Sequence, residues 1–229
     1  MDKYEEAITK WQGQKLVTES DYKSALSDFE TLFAYHSGKL DNNSVTFSDT
    51  REIFEQGTVS DYTGFVSTLR EIWNYKKCCD LIRMRLCEGR ALSVDLTIDF
   101  FETLAQGLDD VSLEQPLPDD KERLKDVIDE VCAYEGTRVL KAGTYLHAAT
   151  MYLAPFGNYS GRVARVIQNY YLMTRSHPPI IVYSFDKDIY EDCIERFAEM
   201  EELNPLYKFL QYETEKLWVK SNSYFESVV

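Results

Sequence analysis

Leu153-Ala-Pro-Phe-Gly-Asn-Tyr-Ser-Gly-Arg162-Val-Ala-Arg165 joins two long helical patterns through a loop of small and turn-forming residues. Upstream, Val139 to Leu153 has the apolar content of a buried helix. Downstream, Val163, Val166, Ile167 and Tyr170 recur with a period of about 3.6, the mark of a helix with one packed face. The loop therefore ends at a helix start, with Ser160 or Gly161 as its N-cap. The first turn of a helix leaves backbone N–H groups unpaired, ready to receive an anion. Arg162 and Arg165 share one face and can add charge-assisted bonds to the same anion. The spacing suits a polyphosphate or carboxylate site. It suits equally a pair of structural ion pairs, the commoner use of two arginines at a helix start.

Working outward, the rest of the chain reads as helix after helix. Ala25, Leu26, Phe29, Leu32 and Phe33 recur three and four apart in a segment that reads as ending near Tyr35, with Ser20 or Asp21 as cap. A polar, turn-prone stretch, His36 to Ser44, follows and holds Asp41 near a helix end. Thr46 to Gln56 forms a short helix capped by Ser48 or Asp49, and Asp61 to Leu86 a longer one with Phe65 in its apolar stripe. Ser93 caps Val94 to Leu104. Asp109 to Pro118 is the one long loop, and Asp119 or Asp120 caps the next helix, through Tyr134. His177-Pro178-Pro179 stops the central helix. Ile180 to Tyr183 is a short extended run or the start of a helix, and the acidic Asp186–Met200 helix carries a solvated face. Pro205 falls in the first turn of the last helix, and Ser221 to Val229 reads as frayed. No segment alternates with a period of two over any length, and no repeat or linker divides the chain. The expectation is one mostly α-helical domain over residues 1–229, with a core at about 29–218 and an N-terminal helical extension at about 1–28.

Composition narrows the function. A net charge of -14 argues against a general DNA- or RNA-binding surface and leaves room only for a small basic pocket. Cys78, Cys79, Cys87, Cys132 and Cys193 form no CxxC pair and there are 3 histidines, so disulfides and a Cys/His metal site are not expected. The N-terminus lacks a signal-like pattern and no apolar run is long enough to span a bilayer, which places the expectation in the cytoplasm.

The central stretch resembles the active-site motif of the Fic/Fido family, His-Pro-Phe-x-Asp/Glu-Gly-Asn-Gly-Arg-x-x-Arg. The resemblance extends to Arg70-Glu-Ile-Trp-Asn-Tyr75, Asn169, Leu172, Pro178-Pro179-Ile180 and Asn204-Pro205-Leu206. It implies a Fic-type helical domain with at most a short β-hairpin flap. It also implies AMPylation: nucleotidyl transfer of AMP from ATP with Mg2+ to a protein hydroxyl, through a motif histidine as base, an acidic metal ligand, a glycine-rich anion nest and phosphate-binding arginines.

The departures fall on that chemistry. Ala154 stands at the histidine position, Asn158 at the acidic position, Tyr159 at a nest glycine and Ser160 at the asparagine, while Pro155, Phe156, Gly161, Arg162 and Arg165 remain. Alanine accepts no proton, and Asn158 is at best a weak metal ligand because its carbonyl is neutral. His147, seven residues before Ala154, reads as a packing residue rather than a replacement base. Ser37-Gly-Lys-Leu-Asp41-Asn42 matches the spacing of the family's inhibitory Ser/Thr-x-x-x-Glu-Gly/Asn helix, with aspartate for glutamate. Its shorter side chain leaves open whether Asp41 reaches Arg165 and acts as a brake, or whether Ser37 and Asp41 belong to a structural network. Asp109 to Pro118 occupies the place of the target-aligning flap without its Gly-x-Tyr-Arg segment. The expected function is a nucleotide- or phosphate-binding pseudoenzyme using Ser160, Gly161, Arg162 and Arg165. Two alternatives stay open: a transferase with a non-standard base, and a protein-interaction scaffold whose pocket is filled. The protein target or partner is unnamed by the sequence.

Overall fold

A computed structural model describes residues 2–108 and 116–219. Its helices are α1 (Lys3–Gln12), α2 (Glu19–Asp41), α3 (Phe47–Gln56), α4 (Val66–Cys87), α5 (Val94–Ala105), α6 (Pro118–Ala133), α7 (Val139–Leu153), α8 (Ser160–Thr174), α9 (Lys187–Met200) and α10 (Leu203–Trp218). Short 3-10 turns at Gly157–Tyr159 and Ser184–Asp186 lead into α8 and α9. No strand occurs among the described residues. The helical bundle expected from the periodicity is the observed architecture. The flap expected at 109–118 falls largely on 109–115, outside the described residues, as does the fraying expected at Ser221 to Val229. No described helix is long and apolar enough to cross a membrane.

Helix α8 is the axis of the molecule. Val163, Ala164, Val166, Ile167, Tyr170 and Leu172 have no exposed surface, and its polar Arg162, Arg165, Gln168 and Asn169 are buried with them. A helix buried on all sides needs neighbours all round. These are α7, α5, α4 and α2. Gly143 lets α7 come close, since a Cβ there would lie 3.3 Å from both Leu172 and Tyr171. Asn169 stitches the segment after α8 back onto it, donating from Nδ2 to the Ile180 carbonyl at 2.9 Å and accepting the Ile180 N–H at 2.7 Å. Ile180 to Tyr183 is thus a buried extended run leading to a 3-10 turn, the first of the two forms the sequence allowed.

Several helix boundaries differ from the sequence expectation, each for a local reason. Helix α2 does not end near Tyr35 but continues through Ser37 and Gly38 to Asp41, because His36, Ser37, Gly38 and Leu40 are buried there and tertiary packing outweighs weak helix propensity. Thr18, not Ser20 or Asp21, caps α2, with Asp21 completing a reciprocal capping box. Thr46, not Ser48 or Asp49, caps α3, and Asp49 serves in its first turn. Helix α4 starts at Val66 rather than Asp61, so Phe65 leaves the apolar stripe and is 72% exposed. Helix α6 begins at Pro118, a residue suited to a first turn, rather than behind an Asp119 or Asp120 cap.

Candidate functional site

The loop between α7 and α8 folds onto itself before the helix begins. Ala154 ends α7 in the left-handed region, φ 46° and ψ 45°, with its N–H on the Thr150 carbonyl. Gly157 follows at φ 52°, and the 3-10 turn consumes the N–H groups of Tyr159 and Ser160 on the carbonyls of Phe156 and Gly157. Ser160 is the first residue of α8 rather than its cap; Tyr159 holds the cap position without a side-chain bond. The Ser160 hydroxyl instead accepts the Phe156 N–H at 2.9 Å. Pro155 and Phe156 are buried, and Phe156 stacks on Phe101 with ring centroids 4.7 Å apart. Gly161 sits against Met151 and Arg165, where a Cβ would come within 3.3 Å of each.

Tyr159 turns inward. Its ring meets Phe101 edge-on at 6.1 Å and carries the Arg162 guanidinium over its face at 4.4 Å, so the site's floor is aromatic where a glycine would leave space. Ala154 and Asn158 lie at the surface of the same loop. Among the described residues no cluster of three or more His, Cys, Asp or Glu side chains is arranged to hold a metal ion. With only the neutral carbonyl of Asn158 on the loop, the residues present do not fit a protein-held Mg2+.

The arginines are closed by an internal carboxylate. Arg165 Nη2 donates to Asp41 Oδ2 at 2.5 Å and to the Ser37 carbonyl at 3.1 Å, and Nε donates to the Ser37 hydroxyl at 2.7 Å. The same Asp41 oxygen lies 3.3 Å from Arg162 Nε, close enough for ion pairing but out of line for a hydrogen bond, so this buried N–H has no hydrogen-bond acceptor among the described residues. Such an orphaned donor in a cationic pair fits an anion. Burial opposes the charge on Arg165, but Asp41, Tyr190 and Tyr75 outweigh it and the guanidinium is held more firmly protonated than usual. The same holds for Arg162, through Tyr75, Asp41 and Glu71. The extension of α2 beyond Tyr35 makes this contact. Aspartate on the last turn of α2 reaches the arginine directly.

His147 has no exposed surface, and both ring nitrogens are engaged. A consistent proton assignment runs from the Tyr190 hydroxyl to His147 Nε2 at 2.7 Å and from His147 Nδ1 to Gln168 Oε1 at 2.9 Å. Burial first, and the Arg165 charge second, pull its pKa down to about 3. A histidine kept neutral in the fold and protonated in the unfolded chain contributes stability above its ordinary pKa of about 6.5 that is lost as pH falls towards 3. His147→Gln is therefore expected to flatten the acid limb. In urea unfolding, the stability lost by the wild type between pH 7 and pH 5 should exceed that lost by the variant by about 2 kcal/mol. Equal losses would contradict the neutral, bonded state of His147.

The sequence reading did not single out Tyr75, Gln168, Tyr190 or Glu71 as site residues. Glu71 and Tyr75 lie in a quoted stretch beside Asn74, so their presence was visible but their direction was not. Gln168 and Tyr190 carry no local signal, since only the packing of α9 on α7 brings Tyr190 to His147.

No family model and no curated protein matches the sequence. Solved structures do match in shape. A Fic domain-containing signaling protein from Bacteroides thetaiotaomicron aligns with a TM-score of 0.79 at 17% identity, over 94% of this chain and 93% of that one. Fic-1 of C. elegans (residues 134–508) aligns with a TM-score of 0.79 at 17% identity, over 95% of this chain and 68% of that one. A Fic family protein from Desulfovibrio desulfuricans aligns with a TM-score of 0.67 at 16% identity, over 99% of this chain and 74% of that one. The helical architecture built around α8 is thus the Fic-type fold.

Proposed function

We propose that this chain is a Fic-fold pseudoenzyme that binds a nucleotide or another polyphosphate at Arg162 and Arg165 and has lost most or all capacity for AMP transfer to protein. The observation that carries the reading is the Asp41 carboxylate between two buried arginines, 2.5 Å from one and 3.3 Å from the other. It stands where a ligand's anion would stand, so the pair reads as an anion cradle held shut rather than a surface ion pair. Loss of transfer is supported by Ala154, which has no proton-accepting group, and by His147, whose nitrogens are both bonded. Any Mg2+ would come with the ligand's own phosphate oxygens.

A second reading, a protein-interaction scaffold with a filled pocket, is favoured by the inward Tyr159 ring beneath Arg162. Equilibrium dialysis with α-labelled ATP and Mg2+ separates these. The pseudoenzyme reading expects Asp41→Asn protein to retain label that denaturation releases, and Arg162→Ala in that background to retain none. Label that survives denaturation and depends on Arg162 would replace it with a transferase. No retention by any variant would replace it with the scaffold.

A further inference from the structure

The anion-binding reading treats Asp41 as the group that closes the arginine pair; resting on that reading, we infer that Glu71 is a second, separate latch, which holds Arg162, and that Asn42 couples the two. Glu71 Oε2 lies 3.6 Å from Arg162 Nη2, the nitrogen next to the Nε that faces Asp41. Both side chains are largely withdrawn from solvent, at 9% exposure for Arg162 and 15% for Glu71. Two cations therefore meet two carboxylates, and the cradle is electrically closed.

The carboxylates come from different helices, Asp41 from the last turn of α2 and Glu71 from the second turn of α4. Asn42 ends α2 and bridges to α4, its Nδ2 donating to Glu71 Oε2 and Thr68 Oγ1 at 3.3 Å each. Its Oδ1 accepts the Ser44 N–H at 2.9 Å, which fixes the amide so that the NH2 faces the carboxylate. Asn42 thus holds Glu71 in place while fixing the chain beside Asp41. An arrangement of this kind predicts non-additive release. Removing the Asp41 charge frees Arg165 but leaves Arg162 paired with Glu71. Removing the Glu71 charge alone leaves Asp41 between both arginines. Until both carboxylates are gone, a polyphosphate reaches Arg162 only in competition with Glu71.

The test is calorimetric titration of inorganic pyrophosphate into the wild type, Asp41→Asn, Glu71→Gln and the double variant, with thermal unfolding to confirm that each is folded. Glutamine at position 71 keeps an oxygen for the Asn42 amide. Glu71→Gln should match the wild type, Asp41→Asn should bind, and the double variant should bind about tenfold more tightly than Asp41→Asn. Equal affinities of Asp41→Asn and the double variant would overturn the second latch and leave the anion site standing. Absence of binding in the double variant would overturn the anion site itself, and the latch with it. Asn42→Ala in the Asp41→Asn background keeps the Glu71 charge but releases its tether, and should tighten pyrophosphate binding without matching the double variant. No change on Asn42→Ala would remove Asn42 from the device.

Discussion

Lys216→Met is expected to lower the unfolding free energy at pH 8 by about 3–5 kcal/mol, measured by urea denaturation. The Lys216 ammonium lies between the Asp186 and Glu213 carboxylates and is only 3% exposed, while the Glu213 side chain has no exposed surface. Removing the cation leaves Glu213 buried with the Tyr183 N–H as its remaining charge-stabilising bond, at 3.1 Å. Burial already pushes the Glu213 pKa up to about 7 against the pull of Lys216, and without Lys216 it should rise further. A raised carboxylate contributes stability that is present below its unfolded value of about 4.3 and is lost as pH rises through the folded one. The variant should therefore recover part of its deficit at pH 5. An equal deficit at pH 5 and pH 8 would contradict the buried, proton-seeking Glu213. The cluster matters to the site because it anchors the 3-10 turn at Ser184–Asp186. The Ser184 N–H donates to His36 Nδ1 at 3.2 Å, and His36 immediately precedes Ser37. Lys187 adds a second tie to the end of α2 through the Leu40 carbonyl at 2.8 Å.

Arg165→Met is expected to cost about 3 kcal/mol in the same measurement. The side chain is 4% exposed and makes two bonds to Ser37 and one to Asp41, so its removal costs both buried packing and charge-assisted hydrogen bonds. The loss should be smaller than for Lys216, because Asp41 is 29% exposed, can regain water and still has Arg162 beside it. Asp41→Asn in the Arg165→Met background should then cost little more. A large further loss would mean that Asp41 has a structural role apart from the arginines.

Much of the fold was legible in the sequence. Apolar residues at intervals of three and four marked most of the helices, and the Arg162–Arg165 spacing put both guanidinium groups on the buried α8. Errors clustered where packing outranks local preference. Ser37 and Gly38 look like a helix end, yet burial of that turn against the neighbouring helices carries α2 on to Asp41, whose carboxylate then meets Arg165. Thr18 and Thr46 cap their helices two or three residues ahead of the positions the sequence favours, because Asp21 and Asp49, three positions on, are themselves good cap residues. At position 159 the bulk of tyrosine was readable, but its turn inward beneath Arg162 depends on Phe101, from a distant helix. The contacts of Glu71 and Tyr190 were likewise hidden, since they arise from how α4 and α9 cross the centre rather than from any spacing.

In the proposed function Asp41 occupies an anion site formed by Arg162 and Arg165. Calorimetric titration of ATP with Mg2+ into the wild type and Asp41→Asn tests it most directly. Saturable binding by Asp41→Asn is expected to be at least about tenfold tighter than by the wild type, because the ligand no longer competes with the Asp41 carboxylate. Equal affinities, or no heat from either folded protein, would contradict it.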